Sequence, residues 1–247
     1  IGDTLTLKDR IAHHYTTGLS TVETTSKYAA KTLDEFKKFY SDSKSNPSSE
    51  YKTYVIKSQN KANADKLAKL LKNNGIELGY GVARSSAGFN YFNGKTESFN
   101  IEKTDIIVNA YQPKSVLAKV LLEPRTFVPD SNTYDITAWA LPFAYGVETY
   151  GVKSFLKIAD KGDTVLEKIS KPVKFYAVAI PWNNVASAKI LGALHQKQIK
   201  VRCLQKSINF DGKTLEKGTL IVTKADNLSV ESLELLLQEI TKDKATE

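Results

Sequence analysis

The chain has 247 residues, with 35 Lys and Arg against 27 Asp and Glu for a formal net charge of +8, 41 % hydrophobic residues, one cysteine and no methionine. That length buries a substantial core, and the composition is that of a globular protein, which excludes disordered and fibrous classes. The basic residues form no block of five or six like charges and no aromatic-laced stripe, so nucleic acid is not an expected partner; no apolar run approaches the roughly 20 residues that span a bilayer; and a lone Cys203 excludes an internal disulfide.

In chain order, residues 5–40 read as helical, because Leu7, Ile11, Tyr15, Leu19, Val22, Ala29, Leu33, Phe36 and Tyr40 recur at steps of three, four and seven. Gly18 is expected to break this run, and Ser20 with Glu23 to restart it as a capping box. The serine-rich stretch 41–50, with Pro47, reads as a linker. Beyond it the pattern becomes an alternation of short apolar strands and helices. Tyr54-Val55-Ile56 is a strand, Ala64 to Leu71 a helix ended by Asn74-Gly75, and Ile76 to Tyr80 a strand. Asn93-Gly94 marks a hairpin, Asp105 to Val108 a strand, and Val116 to Leu122 a helix.

The same order recurs. Phe175 to Ile180, Val185 to Leu194, Ile199 to Leu204, a turn at Asp211-Gly212, Leu220 to Val222 and Val230 to Ile240 repeat the series, and Asn93-Gly94-Lys95-Thr96 lines up with Asp211-Gly212-Lys213-Thr214. Residues 51–122 and 172–241 are therefore two copies of one α/β unit, joined by a connector, 123–171, within a domain covering 51–247. Strand–helix–strand alternation predicts parallel pairing through right-handed crossovers, hence a mostly parallel, Rossmann-like α/β sheet preceded by the N-terminal helical segment.

The connector holds five aromatics between Tyr134 and Tyr150. Asp135 is placed to cap a short helix carrying Ile136, Trp139, Ala140 and Phe143, limited by Pro142 and Gly146. Two readings stand: a buried connector, or a pocket wall in which Asp135 and Glu148 are the polar groups. Ligands on open parallel sheets bind beyond the carboxyl ends of strands, which here are Lys57 to Asn60 and Pro181-Trp182-Asn183-Asn184. The candidate pocket is accordingly Asp135, Trp139, Tyr145, Trp182 and Asn183, although Asn183 or Asn184 serves equally as a helix N-cap.

Catalytic signatures are missing from this sequence. Neither strand-to-helix turn has the glycines of a phosphate-binding loop. Cys203 lies within a predicted strand with no sharp elbow around it and reads as a buried structural thiol; a hydrolase built on it requires that thiol to be exposed and reactive. His13 and His14 are adjacent and diverge on a helix, and His195 stands apart, so no catalytic or metal-ligating residue is assigned.

Three strings together resemble a known family: Arg10-Ile11-Ala12-His13-His14-Tyr15-Thr16-Thr17-Gly18-Leu19-Ser20-Thr21, Tyr134-Asp135-Ile136-Thr137-Ala138-Trp139-Ala140-Leu141-Pro142-Phe143-Ala144-Tyr145-Gly146, and Ile180-Pro181-Trp182-Asn183. They are similar to the C-terminal region of secreted bacterial zinc carboxypeptidase-like proteins. The resemblance implies an α/β domain with a class I glutamine amidotransferase-like fold, following a metallopeptidase domain whose zinc ligands and catalytic glutamate lie before Ile1. It also implies a secreted or periplasmic location. On it, residues 1–40 close the upstream peptidase domain, zinc belongs to that domain, and the chain is a noncatalytic accessory domain of a peptidase that removes C-terminal residues. The alternative is a module that binds a small molecule or peptide in the cleft between the repeats. Beginning at Ile1, the chain is read as a processed product or a piece of something longer.

Overall fold

A computed structural model describes residues 4–125, 140–159, 175–210 and 212–245. Helix α1 (Leu7–Lys27) starts at a capping box: the Asp9 N–H donates to Thr6 Oγ1 at 3.3 Å, and the Thr6 N–H donates to Asp9 Oδ2 at 3.0 Å. It runs through Gly18 and Ser20 without interruption, since one glycine costs about 1 kcal/mol and does not by itself end a helix. The break falls at Tyr28, after which α2 (Ala29–Ser45) continues. The stretch expected as a linker is in part helix and in part packed. Ser43, Pro47 and Ser49 are buried, Lys52 Nζ donates to the carbonyls of Pro47 and Ser49 at 2.8 Å each, and Ser49 Oγ meets the Tyr54 hydroxyl at 2.7 Å.

The first unit continues as β1 (Thr53–Ile56), α3 (Lys61–Asn73), β2 (Gly79–Tyr80), the hairpin β3 (Arg84–Asn90) and β4 (Thr96–Ile101), β5 (Ile106–Asn109) and α4 (Ser115–Leu122). After α5 (Leu141–Tyr145), β6 (Thr149–Val152) joins the same sheet, whose order is β2-β5-β1-β6-β3-β4. The second unit comprises β7 (Ala177–Ile180), α6 (Val185–Gln196), β8 (Arg202–Cys203), the ribbon β9 (Ile208–Phe210) and β10 (Lys213–Leu215), β11 (Leu220–Thr223) and α7 (Leu233–Ala245). Its sheet order is β7-β11-β8, with β9 and β10 forming a separate pair.

This corrects the expected architecture. Every strand pair among the described residues is antiparallel, so the sheet is neither the mostly parallel Rossmann-like sheet nor the amidotransferase-like fold. The cause is the route of the chain after β2. Both β1 and β2 run opposite to β5 and so point the same way, as a strand–helix–strand crossover requires. The chain then passes through the β3–β4 hairpin and returns reversed as β5, which slips between β1 and β2. The crossover is split, and no parallel ladder forms. The second unit does the same, with β11 between β7 and β8.

Two apolar clusters cover the first sheet. On one face Tyr54, Ile56, Ile106 and Val108 pack with Ala64, Leu67 and Leu71 of α3 and Ala118 and Leu122 of α4. On the other, Phe99 and Ile101 of β4 join Val55, Ile107, Tyr150, Val152 and Leu156, so the sheet curls back over itself. A third cluster, of Ile180, Leu220 and Val222 with Ile190, Leu194, Leu233 and Leu237, serves the second unit.

Burial pushes the Tyr54 phenol up to about 12, with the Ser49 hydroxyl bond working against that shift. The unfolded phenol loses its proton near pH 10 while the folded one keeps it, so the folded state binds more protons in between. Stability to urea is therefore full below about pH 10 and falls as pH rises towards about 12. Denaturant titrations at pH 9 and pH 11 check this. Tyr54→Phe is expected to reduce the difference without abolishing it, because burial also raises the Tyr91 and Tyr150 phenols.

Candidate functional site

The polar groups gather at the carboxyl end of β1. Lys57, the first residue past the strand, is 7 % exposed, and its ammonium is paired with the fully buried Asp105 carboxylate. Lys57 Nζ also donates to the Asn100 carbonyl at 2.8 Å. Asp105 accepts backbone N–H bonds from Ser58 at 3.1 Å and Glu102 at 2.8 Å, and Ser58 Oγ lies 2.7 Å from Thr104 Oγ1. With its acceptor oxygens occupied by the ammonium and two amides, Asp105 is tied down. The group clamps the end of β1 to the β4–β5 turn.

Beside it, four side chains converge, one each from β3, β4 and β6 and one from the residue just before β6. Asn90 of β3 donates through Nδ2 to Glu97 Oε1 of β4 at 2.7 Å, and the Tyr150 hydroxyl of β6 donates to Glu148 Oε1 at 2.8 Å. Asn90 Nδ2 lies 3.1 Å from the Tyr150 hydroxyl, and the Tyr150 ring stacks on Phe99 at 3.8 Å between centroids. Burial, and next the Glu148 hydrogen bond, push the Tyr150 phenol well above its ordinary range. Bonds from Asn90 and Asn93 hold the Glu97 carboxyl below the usual carboxylate range. Two carboxylates that each accept from neutral donors make a clasp across β3, β4 and β6. Local pattern singled out neither Asn90 nor Glu97, and marked Tyr150 only as the end of the aromatic run. The Asn93-Gly94 turn was the available signal, since the hairpin register flanking it fixes which residues of β3 and β4 lie opposite each other.

The residues predicted to line a pocket are distributed differently. Asp135 and Trp139 lie outside the described residues. Tyr145 ends α5 half-buried against the first core, and its carbonyl accepts from Asn63 Nδ2 at 2.8 Å. Asn60 caps α3 through Oδ1, accepting from the Asn63 N–H at 3.4 Å, and its Nδ2 donates to the Asn183 carbonyl at 3.0 Å. Tyr145 and Asn183 thus each bond a different side chain at the start of α3, where the strand-to-helix turns of the two units touch. Trp182 is 50 % exposed, and Asn184 is the N-cap of α6, accepting from the Ser187 N–H at 3.1 Å. The concavity along Thr16, Thr17, Ser20, Thr21, Thr24 and Thr25 is bounded by α1 alone and encloses nothing.

Cys203 corrects a second expectation: it is exposed on the short strand β8, not buried. Two residues at a sheet edge leave the thiol uncovered, and its Sγ lies 3.8 Å from the Leu204 carbonyl. His13 and His14 are exposed on α1 and His195 on α6. Among the described residues no three His, Cys, Asp or Glu side chains gather as metal ligands. No described helix is long and apolar enough to cross a membrane.

The most conspicuous surface belongs to α1 and α2. Leu7, Ile11, Tyr15, Leu19 and Val22 of α1, with Leu33, Phe36 and Phe39 of α2, are each 49–73 % exposed, and α1 buries no residue at all. Scattered apolar residues on a surface are ordinary, but a stripe at helical spacing is the pattern of a buried face.

No protein-family model matches the sequence, and no curated protein or solved structure matches it either.

Proposed function

We propose that this chain is a noncatalytic accessory domain that docks onto the catalytic domain of a zinc carboxypeptidase-like protein through the apolar stripe of α1 and α2. The observation that carries the reading is the exposure of that stripe. Helix α1 contains Thr16, Thr17, Thr21, Val22, Thr24 and Thr25, all β-branched and poor helix formers. A helix of this kind is marginal in water and draws its stability from packing of its apolar face, which nothing described in this chain supplies. The family resemblance of residues 10–21 points to the upstream peptidase domain of the same polypeptide as the partner, which would hold the zinc. The exposed histidines of this chain take no part.

Binding of the chain to a separately produced zinc carboxypeptidase domain tests the proposal. Burying Leu19 and Val22 is worth about 1.5–3 kcal/mol each, so Leu19→Asp with Val22→Asp should weaken binding by roughly two to four powers of ten. The chain's own unfolding midpoint should hardly move, because both side chains are exposed in it. Equal binding by the double variant would refute the docking surface.

A further inference from the structure

The two units differ by one strand. In the first, β6 lies between β1 and the β3–β4 hairpin, with Val55 opposite Tyr150 and Phe89 opposite Gly151. In the second, β7 is the counterpart of β1, and the β9–β10 ribbon, flanking a sequence Asp211-Gly212 that matches Asn93-Gly94, is the counterpart of β3–β4. Gly94 and Gly212 take φ of +68° and +72°, the backbone such turns need. Among the described residues no strand occupies the place between β7 and β9.

Among the described residues β7 is an edge strand, paired only with β11. The Lys224 N–H donates to the Tyr176 carbonyl at 3.0 Å, and the register puts Val222 opposite Val178 and Leu220 opposite Ile180. Antiparallel alternation then turns the backbone groups of Tyr176, Val178 and Ile180 towards β11 and those of Ala177 and Ala179 outwards. Strands at an edge are commonly guarded by lysine or proline, and residues 176–180 contain neither. The apolar side chains here and on β9 are uncovered, Tyr176 at 77 % and Phe210 at 70 % exposure, with Ile208 also exposed.

We propose that the second unit is a strand-acceptor site, in which an extended peptide segment of another polypeptide adds antiparallel to Ala177–Ile180 as β6 adds to β1. Continuity with the β1–β6–β3 interface of the same chain sets the chemistry of the occupant. It is a stretch with large apolar side chains at alternate positions and a small residue between, as in Tyr150-Gly151-Val152. Main-chain bonds to Ala177 and Ala179 supply affinity, and the alternate side chains supply specificity. This site is separate from the α1–α2 stripe, and neither proposal rests on the other.

The probe is a synthetic peptide with the sequence of residues 147–153, which contains β6. Its binding should slow amide hydrogen exchange at Ala177 and Ala179 at least tenfold and leave Val178 and Ile180 unchanged. Ala179→Pro removes an outward N–H that the sheet does not use and should abolish binding. A peptide N-methylated at alternate residues should fail against the unaltered chain, which keeps the test valid whether or not the proline variant folds. The proposal is overturned by failure of the peptide to bind, or by equal binding of the methylated peptide. It is also overturned if Ala177 and Ala179 are already protected in the chain alone, whether as a monomer or in a dimer that forms with concentration, because the slot is then filled by this chain itself.

Discussion

Asp105→Ala should destabilise the chain by about 3–5 kcal/mol, the cost of stranding one member of a buried ion pair. The carboxylate is fully buried, and its removal leaves the Lys57 ammonium, 7 % exposed, with the Asn100 carbonyl as its remaining acceptor among the described residues. It also strands the N–H groups of Ser58 and Glu102. Lys57→Met should cost less, because Asp105 keeps those two amides as donors. For a chain of this size the Asp105→Ala loss corresponds to a fall in unfolding midpoint on the order of 10 °C. Urea unfolding of both variants checks the order. A smaller effect for Asp105→Ala than for Lys57→Met would show that the carboxylate is not the hub of the clamp.

Gly81→Ala should have the next largest effect, at the upper end of the roughly 1–3 kcal/mol typical of overpacking. A Cβ there would press into the Glu102 carbonyl oxygen and stand 2.7 Å from Ile101 Cγ2. The first obstacle is backbone, which cannot swing aside as the end of a flexible side chain can. The Gly81 N–H also donates to the Asp105 carbonyl at 2.9 Å, so this residue sits on the seam where the end of β2 meets the β4–β5 turn. Because the two sites share that seam, the double variant should lose less than the sum of the single losses. Urea titrations of the single and double variants measure the coupling. Strict additivity would mean that the seam is not one cooperative structure.

The elements of this fold were legible where a helix has an apolar stripe or a turn has a glycine. Ala64, Leu67 and Leu71 form the buried face of α3, and Asn93-Gly94 sits at the hairpin. Strand direction was not legible. Thr53–Ile56 and Ile106–Asn109 are buried on both faces and show no alternation, so nothing local in them records which strand lies beside them or which way it runs. The hairpin that reverses the chain before β5 decided the matter. Strand β6 was hidden for a related reason, because Thr149–Val152 reads as the tail of an aromatic run.

The polar cluster shows the same limit from the side of chemistry. Lys57 was noted for its place at a strand end and Glu148 for its charge. Asp105, which pairs with Lys57, and Asn90, which reaches Glu148, come from segments that only long-range pairing brings together. The apolar periodicity of α1 was legible as helix, although not its passage through Gly18, and its stripe is open to water in the chain itself.

Hydrogen exchange across α1 is the most direct measurement of the docking proposal, made on this chain alone and on a polypeptide that carries a zinc carboxypeptidase domain ahead of Ile1. Fast exchange is expected over Leu7 to Lys27 in the chain alone and strong protection in the longer polypeptide. Equal exchange in both would contradict the docking proposal, since the stripe would then have no partner in the peptidase domain.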